Sequence, residues 1–137
     1  MTSRAELQNL VTVTIKGDAG TMALINSVYD NIPENPWGAK DAYVSFGSHQ
    51  KLRDDADCIR TGEHFLQLDA WSRAVGKNGC QQIVDRLEAL FLDAELSLAV
   101  NALVLTVVQS TDVFKDADGK TTHGVVIIRA VIEERSA

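Results

Sequence analysis

Across residues 64–95 the alternation of apolar and polar positions changes its period once, and sharply. Leu66, Leu68 and Ala70 fall on one side while Phe65, Gln67, Asp69 and Trp71 fall on the other. That is the period of two of a pleated strand. Residues 72–77, with Gly76, read as a short turn. Beyond it Cys80, Ile83, Val84, Leu87, Leu90, Phe91 and Ala94 recur at i, i+3, i+4, i+7 spacing. Gln81, Gln82, Asp85, Arg86, Glu88 and Asp93 form the wet side of what is then an amphipathic helix. A strand feeding a helix in this way is a packing unit on which the rest of the chain is expected to dock.

The same reading extends along the chain. Residues 3–16 carry a helical stripe (Leu7, Leu10, Val11, Thr14), and Ser3 with Glu6 has the form of a capping box. The β-branched run from Val11 to Ile15 pulls toward a strand, but the cap and the first two turns favour a helix. Residues 17–20 end it, and residues 21–25 allow one helical turn. Pro33 and Pro36 stiffen a polar loop holding Trp37, read as a plug over the core edge or as an anchor for a partner. Residues 42–47 read as a strand and 48–62 as a polar connection, an extended hairpin loop. Residues 98–109 are apolar on both faces, which suits a central strand or one whose second face meets another subunit. Residues 111–122 read as a polar tip around Asp118-Gly119, and 124–134 as the last strand.

The expected fold is therefore α+β over residues 1–137 as a single domain: a four-stranded, mainly antiparallel sheet with two helices on one face, in the order α-β-β-α-β-β. Its second face, with Phe65, Trp71, Val125, Ile127 and Val131, is poorly covered by the chain itself. A contiguous apolar face of that kind is expected to be closed by neighbouring subunits.

Composition sharpens the picture. The chain is 45% hydrophobic and 23% charged, with a formal net charge of -6. Its Lys and Arg residues are scattered without a basic stripe, which excludes a duplex-DNA binder of the usual kind. No apolar run is long enough to span a membrane, and no signal segment is evident, so assembly in the cytoplasm is expected. Cys58 and Cys80 form no CxxC pair, and a disulfide is not expected. Cys80 lies on the helix stripe as a small hydrophobe.

Candidate chemistry is sparse. GxxxxGK[ST], GxSxG and HExxH are missing. In Asp116-Ala117-Asp118-Gly119 the calcium-loop register fails, placing Phe114 at the first ligand position and Val125 where the bidentate glutamate belongs. Asp54, Asp55 and Asp57 read as a solvated loop tip before a cation site. His49, His64 and His123 sit near strand ends without supporting Cys or Glu spacing. Asp69 beside Trp71 reads either as a buried base or as a group facing water or a boundary arginine such as Arg129.

One resemblance runs through roughly residues 7–133. It rests on Pro36 followed by Tyr43-Val44, a strand ending Asp69-Ala70-Trp71-Ser72, Gly76-Lys77 opening a helix with Ile83-Val84-Asp85-Arg86-Leu87, and Asp118-Gly119 followed by His123-Gly124. In order and spacing this resembles the tail-completion, or tail terminator, proteins of long-tailed phages and gene transfer agents. The resemblance implies a structural virion protein with no cofactor or catalytic residue. It implies a homo-oligomeric ring, a hexamer, that caps the tail tube, ends its polymerisation and joins the tail to the head connector, assembled in the host cytoplasm. Its partners would be itself, the tail-tube protein and the connector or stopper, with DNA passing through the lumen. The expected ring interface is Phe65, Asp69, Trp71, Val125, Ile127, Arg129 and Val131. Asp54, Asp55, Asp57, Lys115 and Asp116 are expected to face the lumen or a partner. Another head–tail connector or tail-tube ring protein is the alternative, with a small α+β enzyme or ligand-binding domain behind it.

Overall fold

A computed structural model describes residues 1–135. Helix α1 spans Ser3–Lys16 and α2 Ala19–Met22. Strand β1 (Val28–Tyr29), β2 (Ala42–Arg53) and β3 (Arg60–Ser72) follow, then α3 (Asn78–Asp93), β4 (Ala102–Lys115) and β5 (Thr122–Glu134). The strands form one sheet in the order β1-β2-β3-β5-β4, parallel only between β1 and β2. The architecture is α+β as expected, but with five strands and three helices where the apolar pattern gave four and two. The additions, β1 and α2, span two and four residues, too few for a period to register.

Helices α1 and α3 share one face of the sheet. Leu7, Val11 and Ile15 of α1 join Cys80, Ile83, Val84, Leu87 and Phe91 of α3 in one core with Val44, Leu66, Leu68, Ala70, Val126, Ile128, Ala130 and Ile132. The expected stripe of the helix and the expected inner side of β3 are both confirmed. At Gly124 the contact is so close that an added Cβ would lie 2.4 Å from Val84 Cγ2 and 3.0 Å from Cys80 Sγ. Cys80 is buried, and burial pushes its thiol pKa up to about 11, which leaves it inert.

The ends of α1 differ from the expected capping box. Thr2 is the N-cap, accepting from the Ala5 amide at 3.2 Å. Ser3 lies inside the helix and donates to Glu134. Glu6 accepts from the Val100 amide at 2.7 Å and from the Asn101 amide and side chain at 3.0 Å, so it ties α1 to the start of β4. Burial pushes the Glu6 carboxyl up, but the donors from Asn101 and Val100 outweigh it and hold it low.

Two strands run further than their apolar pattern. β2 continues to Arg53 and β3 begins at Arg60, so the polar connection shrinks to the tip between them. β4 extends to Lys115, leaving a short turn in which Gly119 has φ 71°. β4 is an edge strand, which rules out the central position its two apolar faces suggested.

Candidate functional site

The sheet face opposite the helices is covered by no element among the described residues. Its side chains are set by the register of the four long strands, which lines them into rows across the sheet.

The first row is Tyr43, Trp71, His123 and Phe114. It is a continuous aromatic band. Trp71 stacks on His123 with centroids 3.8 Å apart, Phe114 lies 5.0 Å from His123, and Trp37 meets Tyr43 edge-on at 4.9 Å. The Arg73 guanidinium sits 4.4 Å above the Trp37 ring. Trp37 is thus the half-buried end of the band.

The second row is Ser45, Asp69, Val125 and Asp112. Trp71 Nε1 donates to Ser45 Oγ at 3.2 Å. Asp69 is 7% exposed, so it does not face water. One of its oxygens lies 2.8 Å from His123 Nε2 and accepts from Gln67 Nε2 at 2.8 Å. A Cβ at Gly47 would fall 2.5 Å from the other oxygen, so the β2 backbone closes over the carboxylate only because that residue is glycine. Arg129 is not its partner: Arg129 pairs with Glu63 at 2.7 Å.

Below these, Gln67, Ile127 and Ser110 form one row, and Gln50, Phe65, Arg129 and Val107 the next. Leu52, Glu63, Val131 and Leu105 form the last. Between the rows lies a hollow of about 400 Å³ lined by Ser48, Gln50, Leu52, Phe65, Gln67, Gln109 and Ile127, residues of all four long strands. All seven residues expected at a ring interface therefore lie on one face. Gln67 was placed on this side by the alternation of β3, but Tyr43, His123 and the β4 residues that share the face were missed, because their membership depends on strand register.

The two expected partner-facing loops lie at opposite ends of the sheet. Arg53 and Gly62 flank the tip with Asp54, Asp55 and Asp57, while Lys115 and Thr122 flank the tip with Asp116. The first tip is braced by Arg53, which donates to Asp55 at 2.5 Å, and by the Thr61 amide on the same carboxylate at 3.1 Å. The second is braced by Asp118, which accepts from the Lys120 and Thr121 amides at 2.9 and 2.8 Å. Among the described residues no group of three or more His, Cys, Asp or Glu is placed to hold a metal ion. Among the described residues no helix is long and apolar enough to cross a membrane.

The other two histidines are on the helix side. His49 Nε2 lies 2.8 Å from His64 Nδ1, and His64 is fully buried with its Nε2 unpartnered. Burial, reinforced by His49, Lys51 and Arg4, lowers the His64 pKa to about 4. The unfolded chain, with a histidine near 6.5, takes up a proton that the native core refuses. Stability is then complete above pH 6.5 and falls as the pH drops toward 4, by about 3 kcal/mol in the limit. Urea midpoints measured from pH 7 to 4.5 are expected to slope more steeply for this protein than for a His64→Gln variant. Equal slopes would show that His64 is not the acid-sensitive group.

The sheet is thus packed by helices on one side and left as a patterned, hollowed face on the other. The family model described as tail completion protein gp17 matches residues 10–133. The chain belongs to that family, and is a structural protein of a virion tail. Its fold is similar to that of a chain from a solved particle described as the virion of native gene transfer agent (GTA) particle. The TM-score is 0.85 at 21% identity, covering 95% of this chain and 96% of that one. No curated protein matches the sequence.

Proposed function

We propose that copies of this chain form a closed hexameric ring that caps the tail tube, ends its polymerisation and joins the tail to the head connector. The observation that carries this reading is the uncovered sheet face of a tail completion family member. Phe65, Asp69, Trp71, Val125, Ile127, Arg129 and Val131 contribute to contacts between neighbouring subunits. Half-buried apolar groups there gain about 25 cal/mol for each Å² removed from water. Glu63 is paired with Arg129, and Asp69 is hydrogen-bonded to Gln67 and contacts His123, so closing the face over these groups leaves none of them unpartnered.

The two loop tips suit two partners. Because they lie at opposite ends of the sheet, one serves the tube side and the other the head side. Asp54, Asp55 and Asp57 stand at one end and Lys115 and Asp116 at the other. The net charge of -6 fits a channel along which DNA slides without being held.

Negative-stain microscopy of the purified protein, alone and with tail-tube protein, tests the reading. Rings are expected alone, and tubes of defined length bearing a terminal ring in the mixture. Tubes that elongate without limit in its presence would assign the protein to another position in the tail.

A further inference from the structure

The sheet leaves two strand edges open. β4 pairs only with β5, so its outer edge is free along its whole length. β2 is covered by β1 only at Val44 and Ser45, so residues 46–53 have a free edge as well. Free edges carry unpaired amides and carbonyls and are normally blunted with charge or proline. The lower half of β4, residues 102–108, carries neither. Its upper half is polar (Gln109, Ser110, Thr111, Asp112).

The uncovered half of β2 and the uncharged half of β4 lie at the same height. The row that begins at Leu52 ends at Leu105, and these two leucines are 47% and 41% exposed. The adjacent row begins at Lys51, crosses His64 and Ala130, and ends at Thr106. Thr106 Oγ1 is buried with no hydrogen-bond partner. It borders a groove of about 150 Å³ lined by Ala94, Leu96 and residues 103–106, beside Val104, which is 63% exposed. A buried hydroxyl left without a partner costs stability unless something donates to it or accepts from it.

Strand direction specifies the partner. β2, β3, β5 and β4 alternate in direction across the sheet, so β2 and β4 run opposite ways. A second copy placed beside the first in the same orientation therefore offers its β2 antiparallel to the first copy's β4. We propose that residues 103–108 of one copy pair with residues 49–53 of the next, joining the sheets head to tail. This rests on the ring reading above and adds an edge seam to the face contact proposed there. A head-to-tail contact between two different edges generates a ring where the rotation between copies closes, whereas a two-fold contact of β4 with itself ends at a pair and leaves the β2 edge bare. In the unstaggered join, Leu105 meets Leu52 of the next copy, and Lys51 of that copy stands at the row position beside Thr106. The Lys51 ammonium already pairs with Glu134 and has further donors to give.

Cross-linking decides it. Leu52→Cys and Leu105→Cys are combined in a Cys58→Ser background, where the remaining Cys80 is buried. A bismaleimide spanning about 7 Å tolerates a stagger of two residues. Native mass is measured first. The double variant is expected to give a ladder of covalent multimers ending at the ring, and each single variant none. Dimers from Leu105→Cys alone would show β4 pairing with itself and overturn the seam. Rings by native mass without a ladder would overturn the seam and leave the ring reading intact. A wild-type protein that is monomeric at every concentration would remove both. If the cysteine variants fail to assemble, hydrogen exchange on unmodified protein decides. Amides of residues 103–108 that slow on going from monomer to ring support the seam, and amides equally fast in both overturn it.

Discussion

Ile127→Glu is expected to yield a folded chain that no longer assembles into rings. Ile127 is half-buried in the middle of the open face, between Gln67 and Ser110 in its row and on the wall of the hollow. In a free subunit a glutamate there points into water and leaves the core beneath, Leu68 and Ile128 among it, untouched. In a closed interface its carboxylate has no free base beside it, since Arg129 already pairs with Glu63. Burying such an unpaired charge costs several kcal/mol, and the penalty recurs at every contact around a closed ring. Circular dichroism should match the parent protein while native mass falls to that of a 14.9 kDa monomer. Rings that persist in micrographs would place the interface on another surface.

The largest effect on stability is expected from Phe91→Ala. Phe91 is 2% exposed in the last turn of α3 and is among the largest side chains sealed in the core. Truncating a buried phenylalanine removes its transfer free energy and leaves a cavity, a loss of about 3–5 kcal/mol. A domain of this kind holds about 5–15 kcal/mol in all, so the variant is expected to unfold at a much lower urea concentration with an unchanged m-value. Its neighbour Leu92 is 61% exposed, and Leu92→Ala is expected to change stability by about 0.5 kcal/mol or less. A loss below about 1 kcal/mol for Phe91→Ala would mean that α3 does not seal that end of the core.

The elements legible in the sequence were those whose burial is one-sided. β3 and α3 each pack one face against the core, and the alternation of Leu66, Leu68 and Ala70 and the stripe from Cys80 to Phe91 record it directly. The lower half of β2 was not legible, because at a free edge Ser48, Gln50, Lys51 and Arg53 have little to bury. β4 was misleading for the opposite reason. Its inner face packs on the core while its outer half stays apolar, and in a single sequence that pattern is indistinguishable from a central strand. The open face was found through β3 and β5, but its organisation was not. That Asp69 meets His123, that Arg129 turns to Glu63 and that His49 reaches His64 all depend on which residue sits across from which. That is fixed by register, including the shifts between Phe46 and His49 and between Val108 and Ser110. The capping box failed because Glu6 found better partners in the backbone of Val100 and Asn101, a contact across 94 and 95 positions of chain.

The strand order also sets a timetable. β5 is the last of the described strands, yet it lies between β3 and β4 and pairs with both. During synthesis, β3 and β4 emerge with no partner between them, and β2 with β3 can make only a hairpin. The sheet gains its middle only when residues 122–134 clear the ribosome. Until then the inner faces of α3 and β4 have half a floor to pack on, and the uncharged stretch of β4 is bare on both sides. Such a nascent chain is long-range in its contacts and exposed to aggregation while it waits. The closing step is therefore the insertion of β5 between β3 and β4, and a chain that lacks residues 122–134 cannot complete its core.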